Sequence, residues 1–350
     1  MTATVETLQP GEHGTRSTVA GIPVREGILE VAGPIQLHHR GELPGMRIAW
    51  RLTGPAGAPV VCALGGISAH RRVCLTEDAR DSWWPQIAGP GLPLDASRFR
   101  ILSFDFIGGS ADSTGPGSPE AGPGEFPVVS SYDQAAALSR LLDVLRIPSL
   151  RAFCGSSYGG MVALAFAETC PDRVSQLLII GASDRANPMA SAWRSTQREI
   201  VRFGIETGHP GRGMDLARRL AMTTYRSAEE FSARFDGPAK LVEGRFVLPV
   251  EEYLSARGRD YAVSRRPDAF LRLSESIDLH RVDVSRIFVP VTAVAVSEDR
   301  LVPLADIRAM VARLPDGRLY EISSVFGHDA FLKEADQLRP VFATVLGSAA

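Results

Sequence analysis

Apolar positions along the chain fall into two kinds of run. Short, nearly unbroken runs at 59–64, 99–105, 150–154, 176–180 and 288–296 suit strands buried on both faces. Between them lie helical spacings. Leu138, Leu141, Leu142 and Leu145 recur on one face, and the apolar stretch 161–167 stops before Pro171. Strand and helix alternate, which predicts an α/β class chain with a mostly parallel central sheet. Runs at 35–39 and 46–52, joined through 41–45, predict an antiparallel opening hairpin, and 319–322 reads as a last short strand.

The pattern also divides the chain. Residues 1–34 are expected to hold a flexible, polar N-terminal tail that lacks the basic and apolar regions of a secretory signal. Residues 35–182 form the first part of the sheet core. Over 183–285 helical, charged segments replace the strand runs, which predicts a helical lid inserted into the core. Residues 286–350 return to the sheet. The Gly/Pro/Ser stretch 107–127 has no periodicity, and a loop of that length is expected to be functional or mobile. Ser131 to Gln134 resembles a capping box opening the next helix.

Composition narrows the function classes. A net charge of −2 over 350 residues offers no reason to expect a nucleic-acid partner. No apolar run reaches the roughly 18 residues of a membrane span. Cys62, Cys74, Cys154 and Cys170 show neither C-x-x-C nor zinc spacing and read as reduced thiols of a cytoplasmic protein. Cys154 alone lies near the candidate chemistry. His38 and His39 read as surface residues, so no metal site is expected.

The chemistry gathers around Gly155, Ser157 and Gly159, a G-x-S-x-G pattern between a strand and a helix. It resembles the nucleophile elbow of the α/β-hydrolase fold. A serine hydroxyl is a poor nucleophile at neutral pH and needs a base and an oxyanion hole. In that fold the hole is formed by the N–H after the serine, here Tyr158, and a loop after a central strand, here at Gly66. A carboxylate is expected beyond the 288–296 strand. Asp299 is the choice, with Glu298 and Asp306 as lesser candidates. His328 follows the last strand and completes the order Ser157, Asp299, His328 along the chain.

Further blocks are similar to the homoserine O-acyltransferase family, the acetyl- and succinyltransferases of methionine biosynthesis. These are Trp83-Trp84, Ile87 to Gly91, Gly108-Gly109, Ser113 to Pro116, Ala221 to Ser227, Phe235 to Gly237, Val250 to Leu254, and His328 to Leu332. The resemblance implies ping-pong acyl transfer from an acyl-CoA co-substrate, with no permanently bound cofactor. It also implies that Asp329 binds the amino acid's ammonium and that Arg218 and Tyr225, seven apart on one helix face, lie at the amino-acid site. By analogy, a homodimer through the lid is expected.

Where acetyl-transferring members carry bulkier residues, this chain has Gly65-Gly66. That leaves room for a longer acyl group and tilts the reading toward succinyl-CoA, with Arg71 or Arg72 as a partner for the succinyl carboxylate. Serine is an alternative acceptor, since one methylene separates it from homoserine. An esterase or thioesterase with the same triad is the other enzyme reading, and a non-catalytic scaffold is the third.

Overall fold

The computed structural model describes residues 4–9 and 12–347. The sheet strands are β1 (Thr4–Gln9), β2 (Glu12–Val19), β3 (Ile22–Gln36), β4 (Glu42–Thr53), β5 (Val60–Leu64), β8 (Arg100–Phe104), β9 (Ala152–Ser156), β10 (Leu177–Ile180), β13 (Val291–Val296) and β14 (Gly317–Ile322). Two small pairs stand apart, β6 (Ala88–Gly89) with β7 (Leu94–Asp95), and β11 (Lys240–Val242) with β12 (Arg245–Val247). The ten-stranded sheet runs β1-β2-β3-β4-β8-β5-β9-β10-β13-β14. From β8 to β14 every pairing is parallel, and the four pairings from β1 to β8 are antiparallel.

The unbroken apolar runs have a direct physical origin. Along β5, Val60, Cys62 and Leu64 enter one core, while Val61 and Ala63 enter the other. Leu177 and Ile179 of β10 join the first, and Leu178 and Ile180 the second. A strand covered on both faces must be apolar at every position. Helices α1 (Ser131–Val144) and α2 (Tyr158–Thr169) cover the first face with α8 (Leu304–Val311). On the second face Trp84 packs against Phe342 of α10 (Ala335–Leu346), and α9 (Ala330–Lys333) lies just after the His328 turn.

Between β10 and β13 lie α3 (Pro188–Glu206), α4 (Pro210–Tyr225), α5 (Ala228–Phe235), α6 (Pro249–Ser264) and α7 (Pro267–Leu279), with the β11–β12 hairpin before α6. Four of these helices start on a proline. The ring's fixed φ and missing N–H suit a first turn, whose N–H groups lack intrahelical partners anyway.

Three expectations need correction. The segment read as a flexible tail over 1–34 forms strands joined at 20–21 by a turn, with residues 1–3, 10 and 11 outside the described residues. β3 pairs with β4 from Val24↔Thr53 to Gln36↔Glu42, and Val24 and Leu29 are buried. Its apolar positions were masked by interleaved charges, a pattern equally typical of a strand with one wet face. The stretch 107–127 is a packed strap rather than a mobile loop. Thr114 and Arg47 exchange hydrogen bonds of 3.0 and 2.7 Å, and Ser113 Oγ accepts from the Ala49 N–H at 2.9 Å. The capping box sits one residue earlier, with Ser130 as cap and Asp133 closing it.

Candidate active site

Strand β9 ends in a forced turn. Ser157 has φ +52° and ψ −123°, a conformation a non-glycine residue adopts only when its surroundings over-determine it. They do so here. The Ser157 N–H donates to Ile180 O at 2.9 Å, and the Gly159 N–H to Gly65 O at 2.8 Å. A Cβ on Gly155 would lie 2.3 Å from Gly159 O, and one on Gly159 would lie 2.2 Å from Leu64 O. Only glycine permits these approaches, so the motif's spacing is a packing requirement around the serine.

The other two groups arrive from far along the chain. His328 lies in the turn after β14, with Nε2 2.9 Å from Ser157 Oγ and Nδ1 2.7 Å from Asp299 Oδ2. Asp299 follows β13, and its other oxygen accepts from the N–H groups of Leu301 and Val302 at 2.8 and 3.0 Å. An ionised carboxylate only accepts, so His328 Nδ1 carries the proton and Nε2 faces the serine. Burial alone would lower the His328 pKa. The charge of Asp299, its hydrogen bond and the charge of Asp329 outweigh that, and the pKa is raised. Such a dyad can take a proton from Ser157 and return it to a leaving group.

The lesser acid candidates are spent elsewhere. Glu298 accepts from Ser323 Oγ and the Ser324 N–H, and Asp306 from Asn187 Nδ2. His280 is buried against Ser131 Oγ at 2.7 Å, and burial lowers its pKa to about 4. Cys154 is fully buried outside the cavity lining, and burial pushes its thiol pKa up. His38 is exposed and stacks on Tyr132. Among the described residues no cluster of metal-binding side chains occurs.

A cavity of about 220 Å³ opens over Ser157. Core residues Gly66, Ile67, Tyr158, Gly181 and His328 form its floor, and the helical insertion supplies Arg194, Arg218, Tyr225 and Phe270. Tyr158 starts α2, where its N–H is free of an intrahelical acceptor. Its hydroxyl is 2.5 Å from Ser276 Oγ. A Cβ on Gly66 would stand 3.7 Å from Ser157 Oγ, so this glycine borders the reacting atoms.

The Arg218 guanidinium stands between two phenol rings, its carbon 5.2 Å from the Tyr225 centroid and 4.6 Å from that of Tyr261. Burial works against its charge, but Tyr225, Tyr261 and Asp329 outweigh that and raise its pKa. Asp329 also lines the cavity, with Oδ2 taken by Arg226 Nε at 2.9 Å. Seven of the eight site residues named from the sequence therefore line one cavity, and the eighth, Asp299, stands behind His328.

The structure corrects two readings of the oxyanion loop. Gly65 leaves no room for an acyl group, because a Cβ there would lie 2.7 Å from the Ala69 Cβ and 2.8 Å from the Trp83 ring. Nor do Arg71 and Arg72 line the cavity. Arg71 is paired with buried Asp105 and with Asp112, while Arg72 faces Glu26 at 3.9 Å. Sequence reasoning missed Arg185, Arg194, Arg226, Tyr261 and Gly181. Arg226 directly follows Tyr225 and Gly181 directly follows β10, which are usable signals. Nothing singles out Arg185 or Arg194 among the 38 basic residues.

The chain matches the alpha/beta hydrolase fold family over residues 59–335. It is 41% identical over 326 residues to the homoserine O-succinyltransferase of Xanthomonas campestris pv. campestris, covering 93% of this chain and 84% of that one. It is 31% identical to the serine O-succinyltransferase of Litchfieldella anticariensis, covering 93% and 99%. With the homoserine O-acetyltransferase of Thermobifida fusca it shares 32% identity, covering 91% and 93%. The solved homoserine O-acetyltransferase of Bacillus anthracis superposes with a TM-score of 0.85 at 18% identity, covering 93% and 98%, a likeness of fold. With the elbow, the insertion and these relatives together, the chain belongs to the homoserine O-acyltransferase family of the α/β-hydrolase superfamily.

Proposed function

We propose that this protein is an acyl-CoA-dependent O-acyltransferase that acylates the hydroxyl of L-homoserine in methionine biosynthesis, with succinyl-CoA favoured over acetyl-CoA. The observation that carries the reading is the sharing of one cavity by two sets of groups. Ser157 and His328, the latter backed by Asp299, supply acyl chemistry, while Arg218, Tyr225 and Asp329 offer a cation, a hydroxyl and an anion suited to a zwitterionic amino acid. An esterase has no use for the second set. The relative at 41% identity, a succinyltransferase, supports the donor preference, as does the open side of Gly66.

The reaction is a ping-pong transfer. Ser157 Oγ attacks the thioester carbonyl as His328 Nε2 takes its proton. The N–H of Tyr158 and the backbone at Gly66 face the oxygen that becomes negative. The carbon–sulfur bond breaks, and His328 returns the proton to the CoA thiolate. The amino acid then enters, its carboxylate on Arg218 and its ammonium on the free side of Asp329. His328 deprotonates its hydroxyl, which attacks the acyl-serine and releases Ser157 with the proton restored. Asp299 holds the imidazole tautomer and stabilises the imidazolium in both halves. CoA is a substrate, and no resident cofactor or metal enters any step. Serine is the second acceptor reading, favoured by the relative named for it. A cytoplasmic enzyme pairing as a homodimer through the insertion completes the proposal. Leu241 and Phe246 of the β11–β12 hairpin are exposed there, and light scattering tests the pairing.

The experiment is thiol release from acetyl-CoA and succinyl-CoA, each with and without L-homoserine or L-serine. Release that depends on the amino acid, with O-acyl product by mass, names both substrates. Release at one rate regardless of amino acid, giving only free acid, overturns transfer and leaves a thioesterase.

A further inference from the structure

The charged groups around the cavity do not balance. Its lining carries three guanidiniums, Arg185, Arg194 and Arg218, and one carboxylate, Asp329. Asp329 is already bonded to Arg226, itself shared with Glu230. Behind Arg194 stands Asp278, which that arginine shares with Arg198 at 2.6 Å each. Arg218 has its two tyrosines and, on the proposed function, the acceptor's carboxylate. Arg185 has none of these. Among the described residues its guanidinium has no hydrogen bond and no ion pair. The neighbouring carboxylate, Asp184, is taken by Arg313 at 2.8 Å.

Arg185 is nonetheless held in place. It lies four residues past Gly181, whose Cβ position is 3.5 Å from Asp299 Oδ2 and 3.7 Å from the His328 ring. Its backbone bridges to Arg281, and the Val282 N–H donates to Asp184 O at 2.9 Å. Asn187 then caps α3 and ties to Asp306. The side chain therefore leaves a braced strand-to-helix turn that also borders the catalytic histidine.

We propose that Arg185 forms a second carboxylate subsite, which binds the distal carboxylate of a dicarboxylic acyl group carried on Ser157. This rests on the acyl-transfer reading and sharpens its donor. A zwitterionic acceptor brings one carboxylate and one ammonium, which Arg218 and Asp329 match. An acetyl group adds no charge and leaves Arg185 without a partner. A succinyl group adds one carboxylate, with C1 and C4 about 4 Å apart in an extended chain. Arginine suits this task, because its planar fork takes a carboxylate through two parallel hydrogen bonds. A phosphate of CoA offers the same anionic chemistry, and the test separates the two sources.

The experiment compares Arg185→Gln and Arg185→Lys with the wild type in two arms. Arg185 is exposed, so both variants should fold. In the first arm kcat/KM is measured with succinyl-CoA and acetyl-CoA. Arg185→Gln should lower the succinyl value by roughly 10- to 100-fold and leave the acetyl value within about 2-fold, with Arg185→Lys between. Equal losses with both donors would assign Arg185 to the CoA phosphates and overturn the subsite, as would no loss with either. In the second arm a fluorophosphonate labels Ser157 in the presence of succinamate or butyramide, which differ in the distal carboxylate. Succinamate should protect the wild type better, and that advantage should vanish in Arg185→Gln. Equal protection of the wild type by both overturns the subsite. This arm needs only a reactive serine, so it still decides the question if no acyl transfer is found.

Discussion

Arg226 donates from Nε to Oδ2 of Asp329 across 2.9 Å, and this pair fastens the helical insertion to the turn that carries His328. The seam continues on either side. The Ser227 N–H donates to Val325 O at 3.2 Å, and a Cβ on Gly327 would lie 2.7 Å from Tyr225 O. On the proposed function, acceptor-binding and proton-transferring groups thus share one junction. Arg226→Met should lower stability by about 2 kcal/mol, as expected for a mostly buried charged hydrogen bond. It should also raise the acceptor KM by leaving Asp329 free to turn. Thermal unfolding with steady-state kinetics checks both, and an unchanged KM would make the junction purely structural.

On the proposed function, the raised pKa of His328 should set the acid limb of activity. Only the neutral imidazole takes the serine proton, so kcat/KM should rise with pH through a midpoint above 6.5, the ordinary histidine value. Asp299→Asn removes the attraction that opposes burial. The midpoint should fall and kcat should drop by roughly 10³- to 10⁴-fold. The linked stability has the opposite slope. A folded pKa above the unfolded one contributes stability at low pH, which is lost as pH rises through the folded pKa. A pH–rate profile of both proteins tests the assignment, and an unmoved midpoint would separate His328 from the limb.

Arg218 should act in the second half-reaction alone. Arg218→Met keeps an apolar stem between Tyr225 and Tyr261 but removes the charge. The expected result is a loss of about 30-fold or more in kcat/KM for the amino acid, equivalent to roughly 2 kcal/mol or more for an unpaired charge contact. Acyl-enzyme formation should stay within a few-fold. Rapid-mixing measurement of the first CoA released separates the halves. An equal loss in both would place Arg218 at the donor instead.

His280 should make the fold sensitive to acid. Its pKa is lowered to about 4 from an ordinary 6.5 because burial disfavours the cation. The unfolded chain therefore binds the proton first as pH falls, and stability drops between those two values. At about 1.4 kcal/mol per pH unit the loss approaches 3 kcal/mol. Ser131→Ala/His280→Leu removes the titrating group with its partner, and the slope of urea midpoints over this window should flatten. An identical slope would show that other groups govern acid unfolding.

Much of this molecule is legible without coordinates. The runs that became β5, β9, β10 and β13 are apolar at consecutive positions because both sheet faces are covered, and that pattern needs no partner to be recognised. Strand β3 escaped notice because charged residues share its length, leaving its burial to be defined by the pairing with β4. The capping serine slipped by one position, since Ser130 and Ser131 are chemically the same and only the hydrogen bond from the Asp133 N–H separates them.

The candidate site divides in the same way. Ser157 was marked by glycines that local backbone geometry demands, and Asp299 and His328 by their order after successive strands. Those are properties of short stretches and of chain order, which a sequence carries intact. The roles of the arginines are different. Arg71 and Arg185 are identical as letters, yet one is neutralised by Asp105, 34 positions away, and the other faces the cavity without a partner. Gly65 and Gly66 are neighbours, yet Trp83 fills the space beside one while Ser157 borders the other. Long-range packing decides which charges are spent and which spaces stay open. The sequence by itself determined the fold class and the chain order of Ser157, Asp299 and His328, and the tertiary structure decided which charged side chains line the cavity.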